Sequence, residues 1–224
     1  MNLDIDITTF LNGFIVGNSN SLSDRLLETF FNNQSFIHSG LLIAIIAGLW
    51  FSTKCRANRG RLIIGVCAAS LAALVSRLLQ NSVAFHRRPI LSMHLNLPAG
   101  VHPDISHERL SSFPSDHATL VFGLCTVIFV TNKRLGLISC AWLMVICAAR
   151  VALGAHWPSD ILGGFGLGVL AVKLSEWIPC PEWVTRVEER HSALFYAVIT
   201  MVAYEISTFF IDVTDVLGSF SHIK

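Results

Sequence analysis

Polar residues that could handle a phosphate group recur at the ends of long hydrophobic runs in this sequence. Residues 113–117 read Phe-Pro-Ser-Asp-His, and Arg150, His156 and Asp160 cluster further along the chain. Arg88 precedes a proline upstream of both groups. An imidazole can attack phosphorus or transfer a proton, and a guanidinium offers a planar fork that fits phosphate oxygens. These residue types therefore indicate phosphoryl transfer.

The Pro-Ser-Asp-His motif lies where a polar loop meets an apolar run. Ser115 and Asp116 are both good helix N-caps, and the first amides of a helix have no partner within it. Such a helix end binds phosphate through backbone N–H groups and the helix dipole. His117 would then point toward the bound group from the first turn. The alternative is an ordinary capped helix with a surface histidine.

The second motif combines Arg150, His156 and Asp160 around a turn between two apolar runs. If His156 and Asp160 lie on one helical turn, their spacing of four places them side by side. A carboxylate on one ring nitrogen fixes the tautomer and leaves the other nitrogen free to attack. The alternative makes Asp160 a helix cap and His156 an interfacial histidine. Arg150 favours function, because a charge one turn inside an apolar span is costly.

Composition predicts the elements that must position these residues. The chain has 224 residues, of which 53% are hydrophobic and 14% charged, and a soluble domain carries more charge. A net charge of +1 gives no reason to expect a nucleic-acid partner. The apolar runs are long enough to cross a bilayer and must then be helical. The predicted spans are residues 35–52, 62–81, 115–131, 135–153, 160–178 and 192–211.

The predicted fold is an all-α polytopic membrane protein. A six-helix transmembrane bundle over residues 35–211 follows an amphipathic interfacial segment over residues 1–34, and both belong to one domain, residues 1–224. The fifth span is rich in glycine, which lets helices approach closely in lipid. We expect membrane lipids as partners, and the sequence leaves the oligomeric state open.

The distribution of basic residues predicts the orientation of the bundle. Cytoplasmic loops carry an excess of Lys and Arg, and the basic residues between the spans fall on one side of the predicted topology. Those residues are Lys54, Arg56, Arg59, Arg61, Lys133, Arg134, Lys173, Arg186 and Arg190. Both termini and all three polar motifs then face away from the cytoplasm.

The three motifs together resemble a known family. Arg-Pro, Pro-Ser-x-His and Arg-x5-His-x3-Asp occur in this order between residues 81 and 160, each at a span boundary. This pattern resembles the type-2 phosphatidic acid phosphatase superfamily, and the Pro-Ser-Asp-His version resembles its bacterial undecaprenyl-diphosphate phosphatase branch, the bacitracin-resistance type. The resemblance implies a metal-independent phosphatase with a histidine nucleophile on a six-helix bundle.

The resemblance also implies a role for each motif residue. His156 would be the nucleophile and Asp160 its orienting partner. His117 would protonate the leaving oxygen and later activate water. The phosphoryl oxygens would be held by Arg88, Arg150 and Ser115.

The chain departs from the family pattern at three positions. Asn81 stands where the family usually has a lysine, Ala149 replaces a serine, and Asp116 replaces a common glycine. Arg77, one helical turn before Asn81, is a candidate substitute for the lysine, or else a structural ion pair with Glu205. We include Asn81, Arg77 and Asp116 among the candidate substrate-binding residues.

These inferences predict an enzyme that needs no cofactor or metal and acts on a lipid-linked diphosphate. The expected reaction converts undecaprenyl diphosphate to undecaprenyl phosphate at the outer face of a bacterial inner membrane. Rival substrates are phosphatidylglycerophosphate, phosphatidic acid and lipid A, and a transporter of anionic lipids is a further alternative. The vanadate-dependent haloperoxidases have a similar pocket, but they are soluble. A polar loop contains potential metal ligands without regular spacing, which we interpret as rim residues: His102, Asp104, His107 and Glu108.

Overall fold

The computed structural model describes residues 3–16, 39–52, 58–82, 85–97, 111–179 and 183–208. These residues are helical, with connecting turns and no strand in the described ranges. In chain order the α-helices are α1 (Leu3–Leu11), α2 (Leu41–Phe51), α3 (Arg59–Ser82), α4 (Pro89–Ser92), α5 (Asp116–Thr131), α6 (Lys133–Ala152), α7 (Pro158–Ser175), α8 (Trp183–Arg190) and α9 (Ser192–Ser207). A π-helical turn, Asn12–Val16, continues α1. The all-α prediction is confirmed for the described residues.

Helix α5, which begins at the Pro-Ser-Asp-His motif, lies at the centre of the fold. It packs against α2, α3, α6 and α7. Nearly every residue from Ala118 to Ile128 is buried, because the helix is apolar around its whole circumference. A phosphate site at its N-terminus is therefore surrounded by other helices.

Glycines allow α7 to approach α5 very closely. A Cβ atom on Gly164 would lie 2.5 Å from the carbonyl oxygen of Ser115, and one on Gly168 would lie 2.3 Å from that of Thr119. Gly166 faces open space, with nothing within 4 Å of such an atom. Small residues at the contact thus set the distance between α5, which begins at the Pro-Ser-Asp-His motif, and α7, which carries Asp160.

The described helices are suited to a membrane, although they do not establish six spans. α3, with 24 residues, and α6, with 20, are long and apolar enough to cross a bilayer. α2, α5 and α9 are apolar but shorter. The first predicted span, residues 35–52, corresponds to the 11-residue helix α2, and residues 35–38 lie outside the described part. The six-span count therefore stays a prediction.

Helix α1 turns its polar side inward and its apolar side outward. Asp4, Thr8 and Asn12 are spaced by four and share one face, and Thr8 is fully buried. Phe10 and Phe14 stack on each other on the outside, with 68% and 65% of their surface exposed. The amphipathic character predicted for residues 1–34 is present in this helix, and residues 17–34 lie outside the described ranges.

The motif residues and the basic residues Arg59 and Arg61 lie at opposite ends of the helices. One end brings together the start of α5, the turn between α6 and α7, and α1. At the other end, Arg59 forms an ion pair with Glu188, and a small cavity is lined by Arg61, Thr131 and Glu176 among others. The three motifs therefore lie at one end and the basic residues Arg59 and Arg61 at the other.

Candidate active site

His156 is a fully buried imidazole in the turn between α6 and α7. Only 1% of its surface is exposed. Its Nε2 atom lies 3.3 Å from the Ser115 hydroxyl and 3.5 Å from a guanidinium nitrogen of Arg88. Its Nδ1 atom lies 3.6 Å from a carboxylate oxygen of Asp160. The structure thus brings residues of all three motifs to one ring.

These neighbours indicate which ring nitrogen carries the proton. The Arg88 guanidinium can only donate, and the Ser115 hydroxyl can donate as well, so Nε2 of His156 is placed to accept. A neutral imidazole has one acceptor and one donor, so Nδ1 carries the hydrogen and faces Asp160. The Nε2 lone pair then points to the place where the Ser115 and Arg88 donors converge. This is the tautomer that a nucleophile requires.

Burial also affects the protonation of His156. Loss of solvent lowers the pKa of its imidazole from the ordinary value of 6.5, and the positive charges of Arg88 and Arg150 act in the same direction. The Asp160 carboxylate opposes this shift without reversing it. His156 is therefore neutral at pH 7.

Asp160 lies in the first turn of α7 and is fully buried. Its Oδ2 atom accepts a hydrogen bond of 2.8 Å from the Trp157 backbone N–H, so the residue does cap the helix. The same oxygen faces His156. His156 and Asp160 do not share one helical turn, because Pro158 starts the helix after His156. The turn nevertheless brings the two side chains together, so the capping and orienting roles coexist.

His86 also contacts the Asp160 carboxylate, although no sequence motif indicated it. Its Nδ1 atom lies 3.1 Å from Oδ1 of Asp160, and its ring stacks on Trp157 with centroids 5.9 Å apart. The Trp157 indole donates to the carbonyl of Arg87 over 2.8 Å. The only signal in the sequence is the position of His86, two residues before Arg88.

The loop before α5 is held from both sides. Ser76 and Gln80 on α3 donate to the carbonyl of Pro114, over 3.0 and 2.8 Å. The Ser115 N–H donates to the carbonyl of Asp160 over 3.1 Å. Of the two N-caps that the sequence allowed, Ser115 and Asp116, the structure has Ser115, which accepts from the Ala118 N–H. Hydrogen bonds from α3 and to α7 therefore fix the Ser115 hydroxyl beside His156.

Arg150 is a buried cation near the site. Its side chain is 9% exposed, and its Nε and Nη1 atoms have no hydrogen-bond partner among the described residues. Arg150 lines a small cavity together with Ser115 and His117. An unpaired buried guanidinium is costly, and an anion in this cavity would offset that cost.

Arg77 and Asp116 pair with each other. A guanidinium nitrogen of Arg77 lies 3.0 Å from Oδ2 of Asp116, so the alternative pairing with Glu205 is wrong. Asp116 also accepts from the backbone N–H of His117, over 2.8 Å. The Asp116 carboxylate is thus occupied by a cation and an amide, which does not favour the phosphate-binding role proposed for it. Arg77 is linked to the site through its ion pair with Asp116.

Asn81 is exposed and does not join the hydrogen bonds of the site. Its amide donates to the carbonyl of Arg77 in its own helix, over 3.4 Å. Among the described residues, no three His, Cys, Asp or Glu side chains are grouped so that they could hold a metal ion. The four rim residues predicted in the polar loop lie outside the described ranges: His102, Asp104, His107 and Glu108.

Comparison with known families gives an independent view of this arrangement. Residues 83–181, which include all three motifs from Arg88 to Asp160, match the family model described as "PAP2 superfamily". This stretch is therefore similar to the PAP2 superfamily. The match confirms the resemblance that the motifs predicted. No solved structure matches the chain significantly.

Three relatives of this chain carry names related to undecaprenyl diphosphate or bacitracin. The chain is 29% identical over 147 residues to a Bacillus licheniformis protein named "Bacitracin transport permease protein BcrC", covering 63% of this chain and 64% of the relative. It is 31% identical over 131 residues to the Escherichia coli K12 "Putative undecaprenyl-diphosphatase YbjG", covering 58% and 61%. It is 28% identical over 131 residues to "Undecaprenyl-diphosphatase BcrC" of Bacillus subtilis 168, covering 56% and 61%.

These alignments span less than two thirds of the relatives' own lengths. The names agree with the branch that the Pro-Ser-Asp-His motif indicated. The apolar helices and these bacterial relatives together indicate a membrane protein.

Proposed function

We propose that this chain is a membrane phosphatase that hydrolyses undecaprenyl diphosphate to undecaprenyl phosphate and inorganic phosphate. The observation that carries the proposal is the convergence of the Ser115 hydroxyl and the Arg88 guanidinium on Nε2 of the buried His156. Hydrogen-bond donors beside the attacking nitrogen of a neutral imidazole could bind the oxygens of a phosphoryl group as it approaches that nitrogen. The Asp160 carboxylate on the opposite side of the ring suits the positive charge that develops during attack.

The reaction would proceed in two steps. Nε2 of His156 attacks the terminal phosphorus, the bond from phosphorus to the bridging oxygen breaks, and His117 protonates the leaving undecaprenyl phosphate. Water then attacks the phosphohistidine while His117 takes its proton, and phosphate leaves with neutral His156 restored. Each step needs mainly positioning and charge stabilisation, for which Arg88 and Arg150 contribute roughly 3 kcal/mol per good donor.

The substrate part of the proposal rests on the relatives. One of them is named an undecaprenyl-diphosphatase and another a putative one, and the matched region of this chain contains Arg88, the Pro-Ser-Asp-His motif and His156 with Asp160. A long isoprenoid tail would lie along the apolar outer faces of the helices while the diphosphate enters the polar end. We place this end at the outer face of a bacterial inner membrane, because the basic loop residues mark the cytoplasmic side.

The decisive experiment measures phosphate release from undecaprenyl diphosphate by the purified full chain in detergent with excess chelator. Wild type should turn over, His156→Ala should lose activity, and the matched control His191→Ala should keep it, because His191 is exposed before α9. Vanadate should inhibit as a mimic of the transition state. Undiminished turnover by His156→Ala would remove His156 as the nucleophile.

The same assay separates rival substrates. Phosphatidylglycerophosphate, phosphatidic acid and lipid A should each be hydrolysed with a lower kcat/KM than undecaprenyl diphosphate. A faster rate on one of them would keep the phosphatase and replace its substrate. Turnover that ignores vanadate but stops with a chelator would instead indicate a metal-dependent enzyme.

A transporter is the second candidate, because one relative is named a transport permease. Transport of an anionic lipid could use Arg88 and Arg150 for binding without breaking a bond. It does not require a buried imidazole whose Nδ1 faces a carboxylate. Lipid movement across vesicles without any phosphate release from any of the four substrates would favour the transporter.

A further inference from the structure

The Asp160 carboxylate is shared by two imidazoles that approach its two different oxygens. His156 faces Oδ2, which also accepts the hydrogen bond from the Trp157 N–H. His86 approaches Oδ1 at 3.1 Å. An ionised carboxylate can only accept, so Nδ1 of His86 is the donor in this contact. The three groups therefore form a row, His86–Asp160–His156, that begins at the rim and ends at the buried ring.

We propose that His86 is a positioning residue for the nucleophile, which it serves by holding the Asp160 carboxylate in the plane that faces His156. This inference rests on the proposed phosphatase function and deepens it. His86 does not touch the Nε2 side of His156, where the phosphoryl group would bind. Its action on the reaction passes through Asp160.

The physical reason lies in the number of constraints on the carboxylate. The torsion that turns a carboxylate is soft, so one hydrogen bond leaves its plane poorly fixed. The Trp157 N–H holds one oxygen, and the Nδ1–Oδ2 distance of 3.6 Å to His156 exceeds a normal hydrogen bond. His86 holds the other oxygen and thereby completes the constraint. Partners of this kind fix the tautomer and orientation of functional histidines elsewhere.

His86 is itself fixed by Ser111 and Ser112, which precede the Pro-Ser-Asp-His motif, and by Trp157. Its backbone N–H donates to the Ser111 hydroxyl over 3.1 Å, and its carbonyl accepts from the Ser112 N–H over 2.8 Å. The Ser112 hydroxyl also lies 3.3 Å from Nδ1, and the ring stacks on Trp157. The ring therefore has a defined orientation although 43% of the side chain is exposed.

Two substitutions separate the hydrogen bond from the ring. His86→Phe keeps the stack on Trp157 and removes the donor. His86→Asn removes the stack and keeps an N–H near the Nδ1 position. His191→Phe is the matched control, because this exposed histidine lies at the opposite end of the structure beside α9.

The expected result is a split between kinetic constants. His86→Phe should lower kcat about 10- to 100-fold, the range for losing a hydrogen bond to a charged group, with KM within about twofold. His86→Asn should recover most of kcat, and His191→Phe should match wild type. The inference is overturned if His86→Phe keeps full kcat, if its loss lies in KM, or if both His86 variants lose kcat equally.

A binding measurement tests the role of His86 without relying on the proposed lipid substrate. Vanadate binding to the purified protein, followed by calorimetry, needs no turnover and probes the bond to Nε2 of His156. If wild type binds vanadate but hydrolyses none of the lipids, the proposed function fails while His86 is still tested. Weaker vanadate binding by His86→Phe than by His86→Asn supports the positioning role, and equal binding by wild type and both variants refutes it.

Discussion

The distance between α5 and α7 should control catalysis, and Gly164→Ala is the direct perturbation. The added Cβ would lie 2.5 Å from the carbonyl oxygen of Ser115 and 2.8 Å from the Cβ of Ala118, whereas ordinary contacts begin at 3.4 Å. The helices must therefore separate by roughly 1 Å, and a misplacement of that size costs about 100-fold in rate, or about 2.7 kcal/mol. Because Ser115 is on one helix and Asp160 on the other, the loss should appear in kcat.

The assay is phosphate release by purified protein, with the unfolding temperature measured in the same detergent. Gly166→Ala is the matched control, since a Cβ there meets nothing within 4 Å, and it should keep full activity. A folded Gly164→Ala protein with wild-type kcat would refute the claim that this contact sets the geometry of the site. Equal losses in both variants would point to a general effect of alanine in α7 instead.

Two further predictions concern the charges around the site. Arg77→Ala should raise KM for the diphosphate several-fold, in keeping with the roughly 1 kcal/mol of a partly exposed ion pair, because it leaves Asp116 uncompensated near an anionic substrate. The double variant with Asp116→Asn should restore KM, and failure to do so would show that Arg77 contacts substrate directly. In the pH profile of kcat/KM, the acid limb should lie below the ordinary histidine value of 6.5, because burial lowers the pKa of His156 and the neutral ring must attack. An acid limb at or above that value would contradict this assignment.

The sequence was sufficient to find the motifs because each combines rare polar residues with the end of an apolar run. Ser115 as an N-cap follows from local chemistry, since serine before an apolar helix satisfies its first amides. The glycines of α7 likewise indicate close packing, because a run of small residues lets a neighbouring helix approach. Local signals of this kind need no knowledge of the tertiary fold.

The remaining features depend on contacts between distant segments, which spacing does not encode. Arg77 pairs with Asp116 rather than Glu205 because the packing of α3 against α5 decides the partner, and the residues are 39 positions apart. His86 lies 74 positions before Asp160, in a segment that no periodicity describes. Helix α7 begins at Pro158, two residues before the predicted start of the fifth span, because proline favours the first helical position. His156 therefore lies outside the helix.

The N-terminal helix contacts the turn between α6 and α7 with one face and exposes apolar side chains on the other. Asp4 accepts hydrogen bonds from both the N–H and the hydroxyl of Ser159, over 3.0 and 2.7 Å, and so caps the helix that carries Asp160. Asn12 donates to backbone carbonyls on either side of the site, those of residues 96 and 152. The outer face of the same helix exposes Phe10 and Phe14, a surface that is unfavourable in water and favourable at the boundary of acyl chains and head groups. We propose that this apolar face lies at the bilayer interface while the opposite face holds Ser159. The turn that contains His156 would then lie at the depth of the diphosphate of a membrane-anchored substrate.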